Sequence, residues 1–435
     1  MRDFLAEDVR RREHVIAIIK RVYERYGFEP LETPAVENLE TLLGKYGDEG
    51  NQLIFKILKR GEHEASGQAD LALRYDLTVP LARVVAHHQS KLPRLFKRYQ
   101  IQPVWRADRP ARGRFREFYQ CDVDSLGSTS PVVEAELCAA VSDALTELGF
   151  HDFVVRINHR QLLTALLNVT GVAPSHHGDA LVALDKLDKI GAEGVAGELA
   201  QRGIEEQARN ALLTFFRSGA ADVDLDRVAG YVAEDEVGRR AGENLRAIME
   251  LAGHTSAAGK VRFDPSLARG LSYYTGAIME INVADLAGSL GGGGRYDNLV
   301  GMFLGQNIPA CGFSLGLERI LVVMTERNMF PASLATTAAD VMIATFDASG
   351  AAAAMRVAAT LRHMGLRVLV YPDAEKIGKQ IKYADSRGIP FVALLGDDEI
   401  KAGTVTVKNL AAQTQSTYDQ SVAGAAILEA LKQRG

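Results

Sequence analysis

At 435 residues, with 47% hydrophobic and 24% charged residues, the chain has the balance of a globular protein of two or three domains. Its net charge of −5 excludes a globally basic footprint, so any contact with nucleic acid must be local. Three scattered cysteines (Cys121, Cys138, Cys311) exclude a disulfide framework, and neither an apolar leader nor a run near the roughly 18 residues of a membrane span is visible, so a cytoplasmic protein without membrane contact is expected.

In chain order, Val15, Ile18, Ile19, Val22 and Tyr26 predict an amphipathic helix over 7–26, closed by Gly27. Residues 28–34 then read as an extended, proline-broken segment. Strand patterns follow over 71–75, 96–105 and 115–123, a helix over 132–148 and a strand over 153–158. From 171 to about 255 strand signals vanish, and short helical patterns alternate with glycine, as in a helical insertion. Strands return at 261–263 and 275–282, followed by the glycine run 291–294, a strand over 310–315 and a helix over 317–324. Residues 332–339 read as a polar linker. Beyond it, strands and helices alternate over 341–395, the pattern of a small α/β domain with a largely parallel sheet. The first region, whose strands and helices are segregated, reads as α+β.

The densest chemical signal is Arg106-Ala-Asp-Arg109-Pro-Ala-Arg112-Gly-Arg114-Phe-Arg116, in which five arginines crowd a loop between two strands. Such a cluster suits bidentate contact with phosphates, though in isolation it equally describes a solvated basic loop. Gly291 to Gly294 permit close backbone approach to a ligand but lack the Gly-Lys-Ser/Thr ending of a P-loop; alone they read as a flexible loop. Tyr273-Tyr274, flanked by glycines, suit either a site or aromatic packing at a sheet edge. His87-His88 and His176-His177 diverge on any regular element, so no metal site is expected from them.

Together and in this order, these segments resemble the class II aminoacyl-tRNA synthetases, specifically the histidyl-tRNA synthetase family, over nearly the whole chain. Residues 27–34 look like the first class motif, 106–124 like the second and 312–319 like the third. Residues 267–276 and 291–298 are similar to segments specific to the histidine enzymes. The resemblance implies an α+β catalytic domain over 1–331, an antiparallel sheet flanked by helices and interrupted by the insertion 171–255. It also implies a C-terminal α/β anticodon-binding domain over 340–435.

The implied activity is ATP-dependent activation of L-histidine, then transfer to tRNA(His), by a homodimer that uses Mg²⁺ with ATP. Arg106 would grip the α-phosphate, with Arg269 beside it; Glu117 and Phe118 would contact adenine and Arg319 the γ-phosphate. Asp76, Thr78, Gln120, Asp124, Arg269, Tyr273 and Tyr274 would bind histidine, and the glycine run would line its pocket. Arg109, Arg112, Lys376, Lys379 and Lys382 would meet tRNA. Ser272 stands where the family commonly carries Asp, which bears on the orientation of Arg269. The alternative is a non-enzymatic paralogue, the regulatory subunit of ATP phosphoribosyltransferase, which generally lacks the C-terminal domain.

Overall fold

Helix Ala6–Arg25 buries Val15, Ile18, Ile19, Val22 and Tyr23 along one stripe. Gly27, at φ 73°, ends the helical region in the left-handed conformation that glycine accepts without strain. Tyr23 therefore takes the stripe position expected of Tyr26, which falls in the turn beyond the helix, half-buried. The computed structural model describes residues 1–61, 66–216, 223–268, 273–331, 334 and 337–433. The chain forms two compact units: Met1–Asp3 with Arg11–Met329, and Phe4–Arg10 with Phe330–Gly435.

The strands of the first unit are β1 (Glu29–Pro30), β2 (Val36–Asn38), β3 (Lys56–Leu58), β4 (Ala69–Leu73), β5 (Phe96–Trp105) and β6 (Glu117–Leu126). They continue with β7 (Val154–His159), β8 (Val261–Phe263), β9 (Ala277–Asn282), β10 (Gly291–Arg295) and β11 (Ala310–Gly316). Eight of them form one sheet in the order β1-β5-β6-β11-β10-β9-β7-β8. The interior is antiparallel, as expected. The two outer pairs, β1 with β5 and β7 with β8, are parallel, which makes the sheet mixed. Each parallel pair is joined by a long crossover containing helices, the connection that parallel pairing requires.

The alternation along β6 explains the sheet's two faces. Gln120, Asp122 and Asp124 share one face with Gln102, Gln100 and Arg98 of β5 and with Gly316, Ser314 and Gly312 of β11. Cys121 and Val123 alternate onto the other face with Phe313 and Leu315, all buried. Helix Val132–Glu147 packs against β6 and β11 and buries an almost wholly apolar set. A one-residue slip would exchange the two faces, so register here is strongly specified. The small sheet β2-β4-β3 and helix Thr78–His88 contribute Ala72, Val79, Leu81 and Val85 to a second cluster that also holds Tyr273 and Tyr296.

The helical stretch expected over 171–255 begins earlier, with helix Arg160–Val169. Its last helix, Glu236–Ala252, packs on Val132–Glu147, Arg160–Val169 and β7 and so belongs to the layer beneath the sheet.

In the second unit, β12 (Val341–Thr345), β13 (Val368–Val370), β14 (Phe391–Leu395), β15 (Thr404–Asn409) and β16 (Thr414–Asp419) form a sheet ordered β13-β12-β14-β15-β16. The first three run parallel; β15 and β16 form an antiparallel hairpin that corrects the expectation of a largely parallel sheet. Apolar clusters cover both faces, as an α/β layer demands. Most of β16, Thr-Gln-Ser-Thr-Tyr-Asp, is exposed and carries no apolar alternation, which is why periodicity missed it.

Candidate active site

The polar face of the eight-stranded sheet floors a cavity of about 780 Å³, within the range of small-molecule sites. Asp76, at the start of the turn into helix Thr78–His88, is 1% exposed. Its carboxylate accepts hydrogen bonds from the Tyr46 hydroxyl at 3.0 Å, the Tyr273 hydroxyl at 3.2 Å and the Val79 amide at 3.0 Å. Burial nevertheless raises its pKa, against those bonds and the nearby Arg106.

Beside it, Arg98 is fully buried on β5 and faces two carboxylates across the strand pair: Asp124 at 2.9 Å and Asp122 at 3.8 Å. The Tyr296 hydroxyl donates to Asp124 Oδ1 in a short bond. Burial raises both carboxyls; Arg98 opposes it, and the Asp124 charge pushes Asp122 further up. Two acids and one guanidinium leave the patch short of positive charge. Gln120 donates to Ser314 Oγ at 3.1 Å, leaving Gln120 Oε1 and Asp122 Oδ1 buried without a hydrogen-bond partner among the described residues. Unmet acceptors at a cavity wall suit a ligand that brings N–H donors.

The arginines of the second motif have separate surroundings. Arg106 Nε donates to the Tyr75 carbonyl at 3.0 Å, and its guanidinium lies 4.2 Å from the Tyr75 ring centre and 5.2 Å from that of Phe118. Stacking and one fixed bond orient the planar cation before any ligand arrives. Arg112 forks onto Glu326 and donates to the Asp285 carbonyl at 3.2 Å. Arg319 donates to the Ser289 carbonyl at 2.6 Å and lies against Gly113. Glu318, buried next to it, accepts from the Tyr119 amide at 2.8 Å, and burial lifts its carboxyl to about 7.

The glycine run forms a central strand, β10, rather than a loop. It lies between β9 and β11, and a β-carbon at Gly293 would strike the Gly312 carbonyl. At Gly294 a β-carbon would sit 2.9 Å from Tyr274 Cδ1, so the missing side chain is the room that ring occupies.

Asp76, Thr78, Gln120, Asp124, Tyr273 and Tyr274 all line the cavity, as do Arg106, Phe118, Arg319 and Arg112. Glu117 does not; it neighbours Phe118 on β6, where consecutive side chains alternate between faces. Arg109 is exposed outside the lining, and Lys376, Lys379 and Lys382 are exposed in the second unit. Arg269 and Ser272 lie outside the described residues. Sequence reasoning missed Asp122, Arg98, Tyr46 and Tyr296. The two-residue spacing Gln120-Asp122-Asp124 was a signal for the first, since one strand face must carry all three.

Among the described residues, no group of three or more His, Cys, Asp or Glu side chains could hold a metal ion, and no helix is long and apolar enough to cross a membrane.

Comparison with known proteins follows the same division. Residues 1–320 match the family model described as histidyl-tRNA synthetase, and residues 340–434 match the anticodon binding domain. A histidine–tRNA ligase from Christiangramia forsetii is 41% identical over 438 residues, covering 96% of each chain. One from Gloeobacter violaceus is also 41% identical and covers 99% of this chain and 98% of its own. The solved histidyl-tRNA synthetase of a Nostoc species superposes with a TM-score of 0.79 at 30% identity, over 98% of this chain and 97% of that one. With both family models matched in order and relatives aligned almost end to end, the chain belongs to the histidyl-tRNA synthetase family.

Proposed function

We propose that L-histidine and ATP meet in the 780 Å³ cavity, histidine over the Asp76–Asp122–Asp124 patch and the triphosphate along Arg106 and Arg319. The activity is that of a histidine–tRNA ligase: ATP-dependent formation of histidyl-adenylate, then transfer to tRNA(His). The observation that carries the placement is Arg106, oriented by the Tyr75 and Phe118 rings at the wall of a cavity with buried acids in its floor.

The chemistry needs little beyond position and charge. The histidine carboxylate attacks the α-phosphorus in line, the bond to the bridging oxygen breaks, and pyrophosphate leaves. Charge gathers on the equatorial oxygens, where a cation that need not reorganise is most effective. Arg106 has that property, and Arg319 serves the departing pyrophosphate; by family resemblance Arg269 would face Arg106. Phe118 offers its ring to adenine from the cavity wall, while Glu117 lies outside the lining and is not among the proposed contacts. Glu280 and Glu318 at the cavity wall supply oxygen donors of the kind Mg²⁺ takes, so the residues present fit that ion. When bound, it offsets triphosphate charge.

Asp76 and Thr78 hold the substrate amino group, and Tyr274 with Gln120 and Asp124 meet the imidazole. A neutral imidazole offers one donor and one acceptor, so a wrong side chain would leave buried groups unmatched.

Arg109, Arg112, Lys376, Lys379 and Lys382 are the proposed tRNA contacts; Arg112 would exchange Glu326 for phosphate. A homodimer is proposed as well; Phe28 of the first-motif segment is buried within the chain and so is not offered to a partner. Val36, at the end of that segment, is exposed, and with Leu58 and Leu71 of the same small sheet it suits a two-fold contact.

Histidine-dependent pyrophosphate exchange tests this placement: Arg106→Ala lowers it roughly 100-fold. Unchanged exchange in that variant would overturn the role given to Arg106.

A further inference from the structure

Behind the cavity, on the helix side of the sheet, Arg295 ends the glycine strand and is 7% exposed. Its Nε donates to Glu134 Oε1 at 2.6 Å, and Glu134, on helix Val132–Glu147, is fully buried. Arg295 Nη1 donates to the Ser128 carbonyl at 3.0 Å and to Asp297 at 3.2 Å. Neither residue lines the cavity. Glu134 Oε2 and Arg295 Nη2 make no hydrogen bond among the described residues. A buried pair left partly unsatisfied is a poor stabiliser compared with packed apolar groups, so its place in the fold points to another role.

The backbone around the pair supplies that role. The Arg295 carbonyl accepts the Thr275 amide at 2.7 Å, and Thr275 Oγ1 in turn accepts the Asp297 amide at 3.1 Å. Asp297 Oδ1 accepts the Ala310 amide at 2.9 Å. Thr275 directly follows Tyr273 and Tyr274; Tyr296, between Arg295 and Asp297, reaches Asp124. The Arg295 stem runs where a β-carbon on Gly276 would stand, 2.9 Å from Arg295 Cδ, so these segments are fitted to one another. The guanidinium thus ties Glu134 of the helix, Ser128 just past β6 and Asp297 just past Tyr296, while the Arg295 stem packs on Gly276, two residues after Tyr274.

We infer that the Glu134–Arg295 ion pair is a positioning device for histidine selection, holding Tyr273, Tyr274 and Tyr296 in register from behind the sheet. The inference rests on the reading that this patch takes histidine. Its test is pyrophosphate exchange by the full-length chain, titrated separately in histidine and in ATP. Arg295→Met raises the histidine KM roughly tenfold or more while the ATP KM stays within about twofold, and Arg295→Lys, which keeps the charge against Glu134, recovers part of the loss. Glu134→Gln shows the same split more weakly and decides the matter if the methionine variant does not fold. Unchanged KM values, or both KM values rising in step with a fall in melting temperature, would overturn it. Gln120→Ala separates the two levels. If it leaves the histidine KM untouched, the histidine placement fails; if it raises that KM and the Arg295 variants do not, the positioning role alone fails.

Discussion

Gly312 of β11 stands directly opposite Asp124 of β6, and a methyl group on Gly312 would strike the Asp124 carboxylate. That carboxylate is also held by Arg98 and Tyr296, so it cannot move without breaking one of them. Gly312→Ala is therefore expected to raise the histidine KM roughly tenfold or more, the scale of losing one charged hydrogen bond in a buried site. The ATP KM should move little. Titration of both substrates in pyrophosphate exchange checks this, and an unchanged histidine KM would count against the Asp124 assignment.

Arg106→Lys keeps the charge and loses the plane. The guanidinium is oriented by the Tyr75 and Phe118 rings and by the Tyr75 carbonyl, and an ammonium on a flexible stem reproduces neither stacking contact. A fall of roughly tenfold or more in the exchange rate is expected, smaller than that of Arg106→Ala. Equal rates for wild type and the lysine variant would show that charge alone suffices.

Glu318 gives a pH prediction. Burial lifts its carboxyl from 4.5 to about 7, so the folded state holds its proton more tightly than the unfolded one. Its contribution to stability is then full below about pH 4.5 and is lost as pH rises through about 7. Glutamine keeps an oxygen for the Tyr119 amide and does not titrate. Glu318→Gln should match wild type near about pH 4.5 and exceed it by on the order of 2–3 kcal/mol at about pH 8. Urea unfolding at both pH values measures the difference; a gap that stays constant with pH would refute the assignment.

The α+β architecture was legible because its long strands alternate cleanly. Strand β5 runs over the residues expected, 96–105. The glycine strand was not legible, since four residues without side chains carry no periodicity; only its neighbours Ile281 and Leu315 reveal it as sheet. Arg98 was hidden for another reason. An arginine in a strand reads as solvent-facing, and its burial follows from Asp124 across the strand pair, a contact made far along the chain. Gln120 and Asp124 came from family resemblance, whereas Asp122 between them needed only the two-residue repeat. The hairpin of β15 and β16 escaped because its outer strand packs against almost nothing.

Lys376, Lys379 and Lys382 lie exposed around the start of helix Ile377–Ser386, in a unit separate from the cavity. Replacing all three with alanine should leave pyrophosphate exchange unchanged and reduce tRNA charging through weaker binding. The slope of log affinity against log salt should fall by about 0.9 for each duplex phosphate that is no longer neutralised, or by about 0.7 on a single strand. An unaltered salt slope would remove these lysines from the tRNA surface.

The most direct test is pyrophosphate exchange by the full-length protein, run with each of the twenty amino acids and followed by charging of a tRNA(His) transcript. Histidine alone is expected to support ATP exchange and to be transferred to that transcript. A folded protein that gives no histidine-dependent exchange would contradict this activity, and would return the chain to the binding-only alternative.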